Sequence, residues 1–152
     1  MLEPGIRDLA RDKNFAALSV RMPNGQIATH VMWVDADDDH VIINTEIHRA
    51  KFKAIQADPN VTVTIWKQDD PYTYAEVRGV VSETVGGQEA RDHIDALSQK
   101  YKGTPYASEI KSERVIVKIT PQRQMCIRDR SFDTCDRSTC SAPNCSRARS
   151  IR

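Results

Sequence analysis

The first 122 residues of this 152-residue chain contain no cysteine, because all four cysteines lie between Cys126 and Cys145. A disulfide, a thiolate metal site and a cysteine nucleophile are therefore excluded from that region, as suits a reducing compartment. No apolar run approaches the ~20 residues that a membrane-spanning helix needs. The N-terminal residues also lack the basic flank and apolar stretch of a signal peptide. We expect a cytoplasmic protein that does not cross a membrane.

An excess of positive charge is also missing from the same region. Seven of the 22 basic residues and three of the 21 acidic residues lie from Arg123 onward, which leaves 15 basic and 18 acidic residues before it and a net charge of −3. Nucleic acid and anionic membranes are therefore not expected as partners. No histidine has a second ligand at metal-binding spacing, so no metal site is predicted. The sequence also lacks a serine-nucleophile motif and a glycine-rich nucleotide loop, which fits an enzyme whose organic cofactor carries the chemistry.

The chain changes character after Gln124. Residues 125–152 show neither strand alternation nor a helical period and are dominated by Arg, Ser, Cys and Asp. Their cysteine spacings do not match the short paired spacings of a zinc site, which favours disorder over a zinc knuckle. Met125–Arg130 also resembles a translated sequencing adapter, so we expect the native C-terminal residues to be missing. We predict one folded domain at residues 1–122 and a disordered or artefactual tail at 123–152.

Within the domain, alternating and helical patterns predict six strands and three helices. Leu2, Ile6 and Leu9 recur at helical spacing, and Pro23-Asn24-Gly25 is turn chemistry between the first two strands. The remaining predicted elements are strands at 17–22, 26–35, 40–45, 61–65, 72–84 and 114–120, with helices at 49–57 and 90–101. Short strands joined by hairpins, with few inserted helices, favour a small antiparallel barrel.

Four segments of the chain carry a resemblance to a known family. The first hairpin runs from Asn24-Gly25-Gln26 to His30-Val31-Met32-Trp33, and a strand-to-helix segment runs from Asn44-Thr45 through Arg49-Ala50-Lys51 to Val61. The others are the strand from Pro71 to Gly79 and the closing strand from Arg114 to Pro121. In this order they resemble the pyridoxamine 5'-phosphate oxidase-like split-barrel family, especially its F-420-dependent branch.

The resemblance implies a mainly β fold with a few helices, a six-stranded antiparallel split β-barrel that forms a homodimer. It implies an oxidoreductase that uses reduced coenzyme F-420, a deazaflavin, to transfer a hydride to an unsaturated small-molecule substrate, with the cofactor at the subunit interface. FMN is the alternative cofactor. The implied cofactor-binding residues are His30, Val31, Met32, Asn44, Thr45, Arg49, Lys51, Tyr72 and Tyr74. No catalytic residue is implied.

Five of these nine residues also have another interpretation. Arg49 and Lys51, with Lys53, could form a solvated basic helix face, or with Arg78 they could line a groove for the anionic tail of F-420. His30 could be an ordinary strand histidine, and Tyr72 and Tyr74 could be packing residues rather than groups that stack on the cofactor. Two other functions also remain open, an FMN-dependent oxidase or reductase of the pyridoxamine phosphate oxidase type, or a non-catalytic flavin- or haem-binding module.

Overall fold

The computed structural model describes residues 1–127 as three helices and one seven-stranded antiparallel sheet. The strand order in the sheet is β2-β1-β5-β6-β7-β4-β3. The elements in chain order are α1 (Pro4–Arg11), β1 (Phe15–Arg21), β2 (Ile27–Trp33), β3 (Asp35–Ala36), β4 (Val41–Glu46), α2 (Ala50–Ala57), β5 (Asn60–Lys67), β6 (Asp70–Val85), α3 (Gly87–Lys102) and β7 (Arg114–Ile127). The mainly β architecture predicted from the sequence is confirmed, and each predicted helix is present.

One residue joins the two ends of the sheet. β2 and β3 lie at opposite ends of the strand order, yet only Val34 separates them in the chain. The sheet must therefore curl until its two edges approach each other, which makes it a split barrel. The predicted strand at 26–35 was wrong at this point, because Asp35 and Ala36 leave β1 and pair with Ile42 and Val41 instead. The sheet consequently has seven strands rather than six.

Helix α3 satisfies the backbone at this crossing point. The Val34 N–H donates to the Tyr101 hydroxyl at 3.2 Å, and the Val34 carbonyl accepts a hydrogen bond from Lys100 Nζ at 2.7 Å. Val34 is fully buried, so unpaired backbone groups there would be costly. The Tyr101 hydroxyl also donates to the Asn14 carbonyl. The end of α3 thus fixes the place where the barrel closes.

The inner face of the sheet forms the core. Alternate residues of the strands are fully buried there, for example Leu18, Val63, Val77 and Val117. Burying side chains of this kind contributes about 1.5 to 3 kcal/mol each. The first hairpin turns at Gly25, whose φ of 83° suits glycine, and this confirms the turn predicted from Pro23-Asn24-Gly25.

The closing strand is longer than the sequence indicates. β7 extends past the predicted end at Thr120 and pairs with β6 up to Tyr74 opposite Ile127. Backbone pairing of this kind needs no apolar alternation, so the sequence pattern does not reveal it. The rest of the predicted tail, with Cys135, Cys140 and Cys145, lies outside the described residues. Among the helices of residues 1–127, none is long and apolar enough to span a membrane.

Candidate functional site

A cavity of about 360 Å³ opens between β2, β4, the start of α2, α3 and the loop at 103–113. This volume falls within the range of small-molecule sites. Part of the lining, which we call the apolar wall, is apolar and aromatic, and another part, the polar wall, carries cations. The apolar wall includes Phe15, Val31, Trp33, Ile94, Leu97 and Tyr106. The polar wall includes Asn44, Thr45, Arg49, Lys51 and Arg114.

Three cations converge on the polar wall from two elements. Arg49 is the N-cap residue of α2, Lys51 follows in the first turn of that helix, and Arg114 opens β7. A helix N-terminus carries partial positive charge and favours anions, so cations at this place are locally unfavourable. No side chain of the described chain caps α2. Cations gathered at the start of a helix form a site that could bind an anion.

The electrostatics of the cluster agree with this interpretation. Burial, together with the positive charges of Arg49 and Arg114, lowers the pKa of Lys51. Burial also lowers the pKa of the Arg114 guanidinium, and Arg49 adds to that effect while Glu46 opposes it. Among residues 1–127, Lys51 has no carboxylate within ion-pair distance. A bound anion would relieve this repulsion.

A single buried carboxylate, Glu46, lies among these cations and is only 1% exposed. Its Oε1 lies 3.5 Å from Arg114 Nη1 and 3.6 Å from Arg49 Nη2. Its Oε2 accepts the N–H groups of Lys111 and Ser112 at 2.8 and 2.9 Å. Burial would raise the pKa of Glu46, but these two N–H donors and the Arg114 charge hold it below its ordinary value. Glu46 therefore remains ionised, orients the arginines and ties the loop at 103–113 to the cavity.

The aromatic part of the wall packs against α3. The Trp33 ring stacks on Tyr101 with centroids 5.1 Å apart and planes 5° apart, and Tyr106 meets Trp33 edge-on at 6.3 Å. The Lys102 ammonium lies 5.3 Å from the centre of the Trp33 ring. Such an apolar surface beside a cation cluster suits a ligand with a planar ring at one end and an anionic group at the other.

Six of the residues proposed from the sequence line this one cavity. They are Val31, Met32, Asn44, Thr45, Arg49 and Lys51. Two strands and one helix bring them together, although the first and last are far apart in the chain. Asn44 and Thr45 are buried, and Val31 is 67% exposed on the outer face of β2.

The other three proposed residues lie elsewhere in this subunit. His30 lies opposite Leu18 on the core side of β2, and burial and the charge of Lys51 lower its pKa. Tyr74 lies opposite Trp66, and Tyr72 is 70% exposed. None of these three residues lines the cavity.

The sequence reasoning missed Arg114, Glu46 and the loop residues of the site. Arg114 lies directly opposite Glu46 in the β4–β7 ladder, a pairing that depends on strand order. Neither Lys53 nor Arg78 lines the cavity, and Arg78 pairs instead with Glu76 at 2.6 Å. The signal that could have found Arg114 is a charged residue at the start of an otherwise apolar strand.

Comparisons with known proteins agree on the family and the fold. The family model described as pyridoxamine 5'-phosphate oxidase matches residues 2–124. None of the curated proteins matches the sequence. Among solved structures, an F-420 reductase is 25% identical with a TM-score of 0.70, and the match covers 82% of this chain and 98% of the reductase. The protein Rv2991 from Mycobacterium tuberculosis is also 25% identical, with a TM-score of 0.68, over 92% of this chain and 95% of its own. An FAD-binding protein from Mesorhizobium loti, at 14% identity and a TM-score of 0.57 over 82% of this chain and 92% of its own, shares the fold.

Proposed function

The chain belongs to the pyridoxamine 5'-phosphate oxidase family, and from that premise we propose that it is an oxidoreductase that binds a flavin or deazaflavin cofactor in the cavity. The observation that carries the proposal is the cluster of Arg49, Lys51 and Arg114 at the uncapped start of α2, beside an aromatic wall. Both cofactor types join a planar ring to an anionic chain. The donor set of the cavity fits that chemistry.

Each wall of the cavity takes one part of the cofactor. Arg49, Lys51 and Arg114, with the N–H groups at the start of α2, hold the phosphate. Val31 and Met32 on β2 provide the surface beside the ring, and Thr45 adds a neutral donor near the phosphate. When bound, the cofactor supplies the hydride that reduces an unsaturated small-molecule substrate. The loop at 103–113, tied down by Glu46, limits the access of water to that ring.

We assign coenzyme F-420 as the cofactor, and the F-420 reductase at 25% identity supports this choice. FMN is the second candidate, because the net charge of the cation cluster matches its terminal phosphate. Three cations and one carboxylate leave a net charge of +2, which suits a terminal phosphate dianion as in FMN. The phosphodiester of F-420 carries one negative charge, and carboxylates in its tail would have to supply the rest.

We further propose a homodimer with the cofactor at the subunit interface. The outer face of β2 carries two large exposed apolar residues, Ile27 at 62% and Val31 at 67% exposure. Val31 also lines the cavity, so a second subunit on this face would cover the open side of the site. Tyr72 and Tyr74 are proposed as contacts from that subunit. Sedimentation at micromolar concentration tests the dimer, and a monomer that binds the cofactor tightly would contradict it.

The cofactor is tested by titrating the purified protein with F-420 and with FMN and following each visible spectrum. We expect tight binding of F-420, weaker binding of FMN, and oxidation of reduced F-420 when activated alkenes are added. Tight binding of FMN alone would assign the second candidate. Binding without turnover would indicate a non-catalytic module, and a haem spectrum after titration with haem would assign a haem-binding one.

A further inference from the structure

Arg114 is held in the cavity by a residue on the neighbouring strand. Its Nε donates to Asn44 Oδ1 at 2.8 Å, its Nη1 lies 3.5 Å from Glu46 Oε1, and its guanidinium lies 5.2 Å from the Tyr106 ring centre. The contact with Asn44 is the shortest of these. It occupies Nε, while Nη1 lies beside Glu46 and Nη2 has no hydrogen-bond partner among residues 1–127.

The amide of Asn44 is fully engaged by the protein. Nδ2 donates to the Ala90 carbonyl of α3 at 2.8 Å and lies 3.2 Å from His93 Nδ1, while Oδ1 accepts from Arg114. The side chain is also only 7% exposed. Both N–H groups of the amide and one lone pair of its oxygen thus have partners within the protein, so the amide has no free N–H to donate to an anion.

The orientation of the amide follows from its two strongest neighbours. Turning the amide over would set its oxygen against the Ala90 carbonyl and its NH₂ against the Arg114 Nε–H. Both contacts would become repulsive, so α3 dictates which atom faces β7. The position of α3 is therefore transmitted through one amide to the guanidinium in the cavity.

We infer that Asn44 is a positioning residue, which presents Arg114 to the cofactor phosphate and does not itself donate a hydrogen bond to that phosphate. This inference rests on the proposed function, because it assumes that the cation cluster binds the anionic group. It revises the role that the resemblance gave Asn44, from a ligand of the cofactor to a support for one.

A double-mutant cycle tests the coupling. The variants are Asn44→Ala, Arg114→Ala and the pair, each titrated with F-420 and with FMN and each melted without cofactor. We expect Asn44→Ala to weaken binding about threefold to tenfold in the wild-type background and less than twofold in the Arg114→Ala background. A loss of fold stability alone would lower affinity equally in both backgrounds. Equal losses in both backgrounds would overturn the inference.

His93→Ala is the matched control, because His93 contacts the same amide but not Arg114. Since the Ala90 carbonyl already fixes the amide, this variant should weaken binding less than Asn44→Ala. An Arg114→Ala variant that binds weakly, combined with an Asn44→Ala variant that binds normally, overturns the inference and leaves the proposed function intact. If Arg114→Ala and Lys51→Ala both bind each cofactor normally, the proposed function fails and the inference fails with it.

Discussion

Helices α2 and α3 differ in the charges at their ends, which are unfavourable to the helix dipole in α2 and favourable in α3. α3 has Glu89 in its first turn, Lys100 and Lys102 in its last turn, and Gly103 in the left-handed conformation at its C-cap. Each of these features stabilises a helix. α2 begins with Arg49 and Lys51, has no acidic residue in its first turn and has no basic residue in its last.

The difference follows from what each helix does. α3 closes the barrel and packs against the aromatic wall, and its terminal charges and C-cap all favour the helix. α2 carries two residues of the cation cluster, and the proposed anion would compensate their unfavourable charges. Departures from local stability rules are expected at functional sites. The N-terminus of α2 is such a departure.

Removing the carboxylate that partly balances the cluster should have the largest effect. We expect Glu46→Ala to destabilise the protein by about 3 to 5 kcal/mol, because it leaves buried Arg114 without its charge partner. Since the pKa of Glu46 is lowered in the folded protein, its contribution is present above the ordinary glutamate pKa and is lost as the pH falls through the folded value. Denaturant melts across acidic pH measure both effects. Glu83→Gln, which breaks an exposed pair with Lys118, should cost about 0 to 1 kcal/mol, and an equal cost for both variants would contradict the account.

The second largest effect is expected on the affinity for the cofactor. Arg49→Ala and Lys51→Ala should each cost roughly 1.5 to 3 kcal/mol of cofactor binding, about a tenfold to hundredfold weaker affinity, with no loss of stability in the cofactor-free protein. Lys53→Ala, on the same helix but outside the cavity, is the control and should change affinity little. Cofactor titrations paired with thermal melts separate this result from a solvated basic face, for which all three variants would show equal small effects.

Tyr101, near the C-terminal end of α3, provides a test of stability that does not involve the cofactor cavity. Burial raises the pKa of Tyr101 to about 12, with the nearby Asp35 and Asp12 charges adding to the shift and a backbone hydrogen bond opposing it. The neutral hydroxyl therefore contributes stability below pH 10 that is lost as the pH rises towards 12. Tyr101→Phe should cost about 1 kcal/mol at neutral pH, because the Val34 N–H and the Asn14 carbonyl lose their partner. It should also flatten the alkaline fall in stability, and an unchanged alkaline profile would argue against the buried hydroxyl as its source.

The smallest expected change in stability comes from reversing one charge in the first turn of each helix. Lys51→Glu should raise the stability of the cofactor-free protein by about 0.3 to 1 kcal/mol, since it gives α2 the acidic first turn that it lacks. The same variant should lose cofactor binding. Glu89→Lys in α3 should lower stability by a similar amount and leave binding unchanged. If Lys51→Glu is less stable than the wild type, the dipole comparison between α2 and α3 is wrong.

The local features of this protein could be predicted from its sequence, whereas the long-range features could not. The Pro23-Asn24-Gly25 turn and the apolar alternation of β1 and β5 are short-range signals, and the structure confirms them. No sequence pattern marks the break at Val34, because the residues of β2 and β3 together have the pattern of one continuous strand. It is the curling of the sheet that separates them.

The residues of the candidate site also divide into those that are close in the sequence and those that only the fold brings together. Arg49 and Lys51 are neighbours at one helix start, so sequence could propose them together. Arg114 joins them only through the β4–β7 register, and Glu46 reads as an ordinary polar residue at a strand end until its burial is known. Its contacts with the N–H groups of Lys111 and Ser112 depend on a loop that has no regular pattern.

The most direct measurement of the central claim compares each cofactor with the same ring system lacking its phosphate. Titrations with FMN and riboflavin isolate the contribution of the phosphate, whereas F-420 and its deazaflavin without the anionic tail measure the phosphate and the tail carboxylates together. We predict that the wild type binds the phosphate-bearing member of the pair it accepts at least tenfold more tightly, and that this preference is much smaller in an Arg49→Ala/Lys51→Ala variant, which keeps only Arg114 of the three cations. A preference for the phosphate that is as large in the double variant as in the wild type would contradict the assignment of Arg49 and Lys51 to the phosphate site.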